Sequence, residues 1–170
     1  MNPFGWTFRA QFAAGAIGCA VLLAYALFVQ YQLKIEPCPL CIFQRVAFMA
    51  MGIFFLLGAL HGPRATGRKV YAALVVVSGL VGASISARHV WLQHLPKDQI
   101  PDCGPGLAYM IDAFPMAQMF KMVLTGSGEC AEVNWTFLGI AMPAWTLFCF
   151  LILIGWAIWS ALNRIHPAAR

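Results

Sequence analysis

Apolar and polar positions divide the chain into four long apolar stretches separated by two short polar breaks and one long one. The first stretch runs from about Gln11 to Tyr31. The second runs from about Ile42 to Leu60 and carries Gln44 and Arg45 in its first turn. The third runs from about Val70 to Ala87, and the fourth from about Ile140 to Leu162. A helix that crosses a bilayer needs roughly 20 residues, with a range of about 17–25. The pattern therefore predicts an all-α membrane protein, a four-helix transmembrane bundle forming one integral membrane domain over residues 1–170. Loops 32–41 and 88–139 fall on one side. The 61–69 loop and both tails fall on the other.

The long polar break is too small, and too poor in β-branched alternation, to predict an independent domain. Residues 95–106 are dense in Pro and Gly and read as extended or turning chain. Within the same loop, Met116, Met119, Phe120, Val123 and Leu124 recur at helical spacing, with Gln118 and Lys121 between them. Pro115 suits a first helical position and Gly126 a position just past the end. This predicts a short amphipathic helix over 115–124, lying on the membrane surface. The alternative is that its stripe packs on the loop's own interior.

Charge assigns the sides. Arg9, Arg64, Arg68, Lys69, Arg164 and Arg170 fall in the tails and the 61–69 loop, with no acid among them. All six acids (Glu36, Asp98, Asp102, Asp112, Glu129 and Glu132) fall in the other two loops. The positive-inside rule makes both termini cytoplasmic. In a bacterium the 32–41 and 88–139 loops are then periplasmic, where disulfides persist. Composition agrees: 61% of residues are hydrophobic and 10% charged, against about a quarter charged in soluble domains. A net charge of +5 does not indicate nucleic acid, because the basic residues do not cluster with aromatics on a polar surface. The apolar run after Arg9 is followed by Gln30-Tyr31-Gln32-Leu33 rather than a small-x-small cleavage site. It reads as a retained first helix.

The chemistry-bearing residues are thiols. Cys19 and Cys149 lie mid-span and read as small hydrophobes. Cys38-Pro39-Leu40-Cys41 stands at the mouth of the second span, and a C-x-x-C can open and close a disulfide at low cost. A static disulfide or half of a metal site is the alternative. Zinc usually takes four ligands in two close pairs, whereas Cys103 and Cys130 stand alone in the long loop. A helix beginning at this pair favours a thiolate through its free N–H groups, while burial opposes one. Arg45 follows Cys41 by four residues and shares its face. An arginine inside a span is a candidate functional residue, with snorkelling to the headgroups as the alternative. Cys41, being nearer Arg45, is the expected activated thiol. Cys103 and Cys130 read either as a structural staple or, given the Pro/Gly setting of Cys103, as an exchangeable disulfide.

Several segments together carry a resemblance: Cys38-Pro39-Leu40-Cys41-Ile42-Phe43-Gln44-Arg45, Arg88-His89-Val90-Trp91-Leu92-Gln93, Cys103, the run from Gly128 to Gly139, and Met142-Pro143-Ala144-Trp145. The chain resembles the disulfide bond formation protein B (DsbB) family of bacterial inner-membrane thiol:quinone oxidoreductases. The resemblance implies Cys38, Cys41, Cys103 and Cys130 as the catalytic thiols. It implies a reduced DsbA-like periplasmic partner attacking at Cys103, transfer from Cys130 to Cys38, and a Cys41 thiolate that donates to quinone. Ubiquinone is the implied acceptor and menaquinone the alternative, with Arg45 stabilising developing negative charge. His89 matches a position near the quinone, and a solvated interfacial histidine is the alternative. Trp135 and Trp145 match as well, but interfacial tryptophans are ordinary anchors. Two other readings compete: a quinone-linked oxidase of one dedicated substrate, and a membrane scaffold with two structural disulfides.

Overall fold

A computed structural model of the chain describes residues 7–34, 37–96, 115, 128–131 and 136–162. Its elements are α1 (Phe8–Leu33), α2 (Pro39–His61), α3 (Ala65–Gln93), α4 (Gly128–Ala131), β1 (Thr136–Phe137), β2 (Ile140–Ala141) and α5 (Met142–Leu162). Helices α1, α2, α3 and α5 are each long and apolar enough to cross a membrane. They pack as a four-helix bundle in which α2 neighbours α1 and α3, and α5 neighbours α3 and α1.

Local chemistry sets the helix ends. Thr7 caps α1, its hydroxyl accepting from the Ala10 N–H at 3.4 Å. Pro39 opens α2 at a position where a missing N–H costs nothing. Gly62 closes α2 in the left-handed region (φ 56°), its N–H donating to the Gly58 carbonyl at 3.1 Å.

Two features go beyond the expected outline. The third helix continues to Gln93, so Arg88, His89 and Trp91 are helical rather than loop. The apolar run breaks at Arg88 and His89, but nothing there breaks a helix, and a bulky polar residue ends hydropathy before it ends hydrogen bonding. In addition, 136–141 forms a small antiparallel hairpin pairing Thr136 with Ala141 and Phe137 with Ile140. Leu138 and Gly139 both take positive φ (52° and 77°) at its turn, the requirement of the tightest hairpins. The amphipathic helix expected over 115–124 lies outside the described residues, Pro115 excepted.

The core is aromatic. Phe48 and Phe150 stack at 3.9 Å between centroids, and Phe12 meets Phe55 edge-on at 5.1 Å. Large aliphatic side chains such as Ile17, Val21, Ile53, Val77 and Leu151 face outward, where lipid replaces protein as the apolar neighbour. Small residues let the helices close around the rings. A Cβ built on Gly82 would lie 2.3 Å from Phe150 Cζ and 2.9 Å from the Ala47 methyl. Gly82→Ala is therefore expected to lower stability by about 1–3 kcal/mol through overpacking. Thermal unfolding in detergent measures this, and a wild-type midpoint would contradict the packing.

Basic residues gather at one end of the bundle. Arg9 Nε donates to the Ala59 carbonyl at 2.9 Å, and Arg68 lies 5.2 Å over the Phe8 ring. Lys69 lines a shallow groove there with Ala161 and Leu162 of α5. The start of α1, the α2–α3 connection and the end of α5 thus share one end. The C-x-x-C pair lies at the other.

Candidate active site

Cys38 is the N-cap of α2, and Cys41 lies in its first turn. Residues three apart on a helix share a face, and their Sγ atoms stand 3.3 Å apart. A disulfide bond is about 2.05 Å long, so small side-chain rotations separate the two states. His89, near the end of α3, fills the space beside both sulfurs. Its Nε2 is 3.8 Å from Cys38 Sγ and its Nδ1 4.0 Å from Cys41 Sγ. The ring is only 3% exposed, so it is not the solvated interfacial histidine that sequence allowed.

Gln44 follows Cys41 by one turn on the same face and is itself buried. Its Nε2 is 3.2 Å from His89 Nδ1. With its amide nitrogen turned to the ring, Gln44 donates to Nδ1, and a neutral imidazole held in this way carries its proton on Nε2, facing Cys38. Gln44 therefore positions His89 as a donor to sulfur. Gln44→Leu would leave a buried ring nitrogen unpaired, at a cost of about 1–3 kcal/mol. The expected result is a roughly tenfold slower thiol exchange at Cys38. Stopped-flow single turnover measures it, and an unaltered exchange rate would remove the role.

Cys130 arrives from a distant part of the chain. It lies in α4, is 1% exposed, and packs with Leu40 and Leu92, against which Cys38 also rests. The donor atoms of Cys38, His89 and Cys130 all lie within 4.8 Å of one another. Three of the four cysteines expected to act are thus gathered around one imidazole. Cys103 lies outside the described residues.

Arg45 takes a different direction. Its guanidinium reaches across to α1, donating to Gln30 Oε1 through Nη1 and to the Ala26 carbonyl through Nη2 at 3.2 Å. It is half-buried between α1 and α2, one turn further into α2 than the thiols. Cys19 is buried in the bundle core, as a mid-span cysteine should be.

Gln44 and Gln30 are the functional neighbours that sequence reasoning missed. A pattern for part of this existed. Gly79, Gly82, Ser86, His89 and Leu92 form a buried stripe at helical spacing on α3, and its small and polar members mark a face turned inward.

The arrangement suits thiol–disulfide exchange, and the comparisons agree. The sequence matches the family model for disulfide bond formation protein DsbB over residues 8–160. It is 53% identical over 164 residues to "Disulfide bond formation protein B" of Xanthomonas axonopodis pv. citri, covering 96% of this chain and 95% of that one. The like-named protein of Methylococcus capsulatus is 49% identical over 156 residues, covering 90% and 95%. That of Saccharophagus degradans is 49% identical over 147 residues, covering 86% and 89%. With its four bilayer-length helices and its thiol cluster, the chain belongs to the DsbB family, membrane oxidoreductases of disulfide bond formation.

Proposed function

We propose that the protein oxidises a reduced, thioredoxin-like periplasmic dithiol protein of the DsbA-like kind and passes the two electrons to membrane quinone. One observation carries the reading: Cys130 meets Cys38 and His89 within 4.8 Å, although the two cysteines stand 92 positions apart in the chain, 130 less 38. Exchange between two disulfides requires such a meeting.

The sulfur chemistry then balances. A partner thiolate attacks Cys103 in the Cys103–Cys130 disulfide and releases Cys130. Cys130 attacks Cys38 Sγ, forming a Cys38–Cys130 bond and releasing Cys41 as thiolate. The partner's second thiolate displaces Cys103, and the partner leaves oxidised. Cys103 then attacks Cys130 and restores the loop disulfide, with Cys38 as the leaving sulfur. The Nε2–H of His89, oriented by Gln44, stabilises the charge on Cys38 in that step. Cys38 and Cys41 are left holding two electrons and two protons for the acceptor.

A bound quinone supplies a two-electron, two-proton acceptor, and the residues present fit one. The Arg45 guanidinium has more N–H donors than its two bonds to α1 use. Beside it, Val46 and Met49 face outward, an apolar flank suited to an isoprenoid tail. Arg45 would hold the ring oxygens, and His89, engaged by Gln44, serves the thiols and closes the site towards the bundle. Ubiquinone is the expected acceptor and menaquinone the alternative. The protein would sit in the bacterial inner membrane with its basic end cytoplasmic and its thiols periplasmic, as the positive-inside rule requires.

Anaerobic mixing of the purified protein with a reduced thioredoxin-like partner and ubiquinone tests the reading. One quinol per partner disulfide is expected. Partner oxidation without quinol would point to a different acceptor, and neither product would refute the proposal.

A further inference from the structure

Counting cysteines along the sequence argues against a metal site, because Cys103 and Cys130 are not a close pair. The fold changes the count by adding Cys130 and a histidine to the C-x-x-C. Cys38, Cys130 and His89 come from three separate elements, and their donor atoms already lie within 4.8 Å of one another. Cys41 Sγ is 3.3 Å from Cys38 Sγ and 4.0 Å from His89 Nδ1. In tetrahedral zinc sites Zn–S is about 2.3 Å and Zn–N about 2.0–2.1 Å, so neighbouring donors stand roughly 3.4–3.8 Å apart. The Cys38–Cys41 and Cys38–His89 separations of 3.3 and 3.8 Å are already near that range. Cys41 stands outside the group of three and completes the set only when its side chain rotates towards Cys130 and His89 Nε2.

We propose that the fully reduced cluster is a binding site for zinc-class divalent ions, with Cys38, Cys41, Cys130 and His89 Nε2 as ligands. Three thiols each release a proton, and zinc keeps its oxidation state. The result is a Zn(II) centre with three thiolates and a neutral imidazole. Zinc on Nε2 requires the ring proton on Nδ1. Gln44 meets this by turning its amide so that Oε1 accepts the Nδ1–H, an outer-shell contact of the usual kind. Disulfide sulfurs are not part of such a ligand set, so oxidation of Cys38 and Cys41 expels the ion. Metal and disulfide formation therefore exclude one another. Zinc would trap the reduced enzyme before electrons leave it. The ligand set stands on geometry, and only this inhibitory consequence rests on the proposed function.

The probe is Co(II), added anaerobically to the reduced full-length protein in detergent. One equivalent is expected to give tetrahedral d–d bands and thiolate-to-cobalt charge transfer, both removed by Zn(II). The oxidised protein should give neither. Cys130→Ser and His89→Ala should each weaken binding at least tenfold, while Cys103→Ser and Cys149→Ser should not. Absence of charge transfer in the reduced wild type would overturn the site without reference to any variant. So would equal affinity in the oxidised protein or in both ligand variants. Quinol formation measured in parallel without metal keeps the two proposals apart: if it fails while Co(II) binds as described, the metal site stands and the proposed function falls.

Discussion

Cys41→Ser is expected to convert the protein from a catalyst into a single-use reagent. On the proposed function, a Cys103–Cys130 disulfide in this variant still oxidises one equivalent of reduced partner. Cys130, once released, then finds no Cys38–Cys41 disulfide to attack, and no Cys41 thiolate forms to deliver electrons. Quinol formation should fall to background, with partner oxidation stopping at one equivalent. Serine differs from cysteine by a single atom in a half-buried first-turn position, so the fold should persist with unchanged helical circular dichroism. A structural disulfide would behave differently, its loss lowering stability while leaving turnover. Continued turnover in Cys41→Ser would thus return the site to a structural role.

Arg45→Ala is the second large effect. On the proposed function Arg45 holds a quinone oxygen, and a hydrogen bond from a charged donor contributes about 1.5–3 kcal/mol, which corresponds to roughly a 10–100-fold rise in apparent KM for quinone. The structure adds a second consequence. Arg45 also bridges α2 to α1 through Gln30 and the Ala26 carbonyl, so its removal takes this donor from Gln30 Oε1, while the Ala26 carbonyl keeps its bond within α1. Some loss of thermal stability is expected with the kinetic effect. Gln30→Leu separates the two. It removes one anchor of the guanidinium and keeps the charge, so KM should rise less than in Arg45→Ala. Turnover at saturating quinone should be retained in both. Unchanged KM in Arg45→Ala would mean that the arginine serves only to join the helices.

The composition of the helices made the bundle legible. Runs of Leu, Val, Ile, Phe and Ala long enough to cross a bilayer leave the backbone few options, because every N–H and C=O in hydrocarbon must be paired within its own segment. The C-x-x-C was legible because Pro39 marks a helix start and the spacing alone puts two sulfurs on one face. Helix ends were less legible where polarity and helicity part company. Arg88 and His89 end the hydropathy of α3 four to five residues before Gln93 ends its hydrogen bonding.

What the sequence determined by itself was therefore local and periodic: four apolar helices, the basic end, the paired thiols of α2 and the family they resemble. What only the tertiary structure decided was which distant residues meet. No periodicity in the sequence relates Cys130 to Cys38, Gln44 to His89, or Gln30 to Arg45. These contacts depend on how the helices are rotated against one another, which close packing sets around Phe48, Phe150 and Gly82 for α2, α5 and α3, around Phe12 and Phe55 for α1, and around Leu40 and Leu92 for α4. A buried histidine and glutamine in an apolar bundle need partners, and a linear reading can state that need but cannot name who satisfies it.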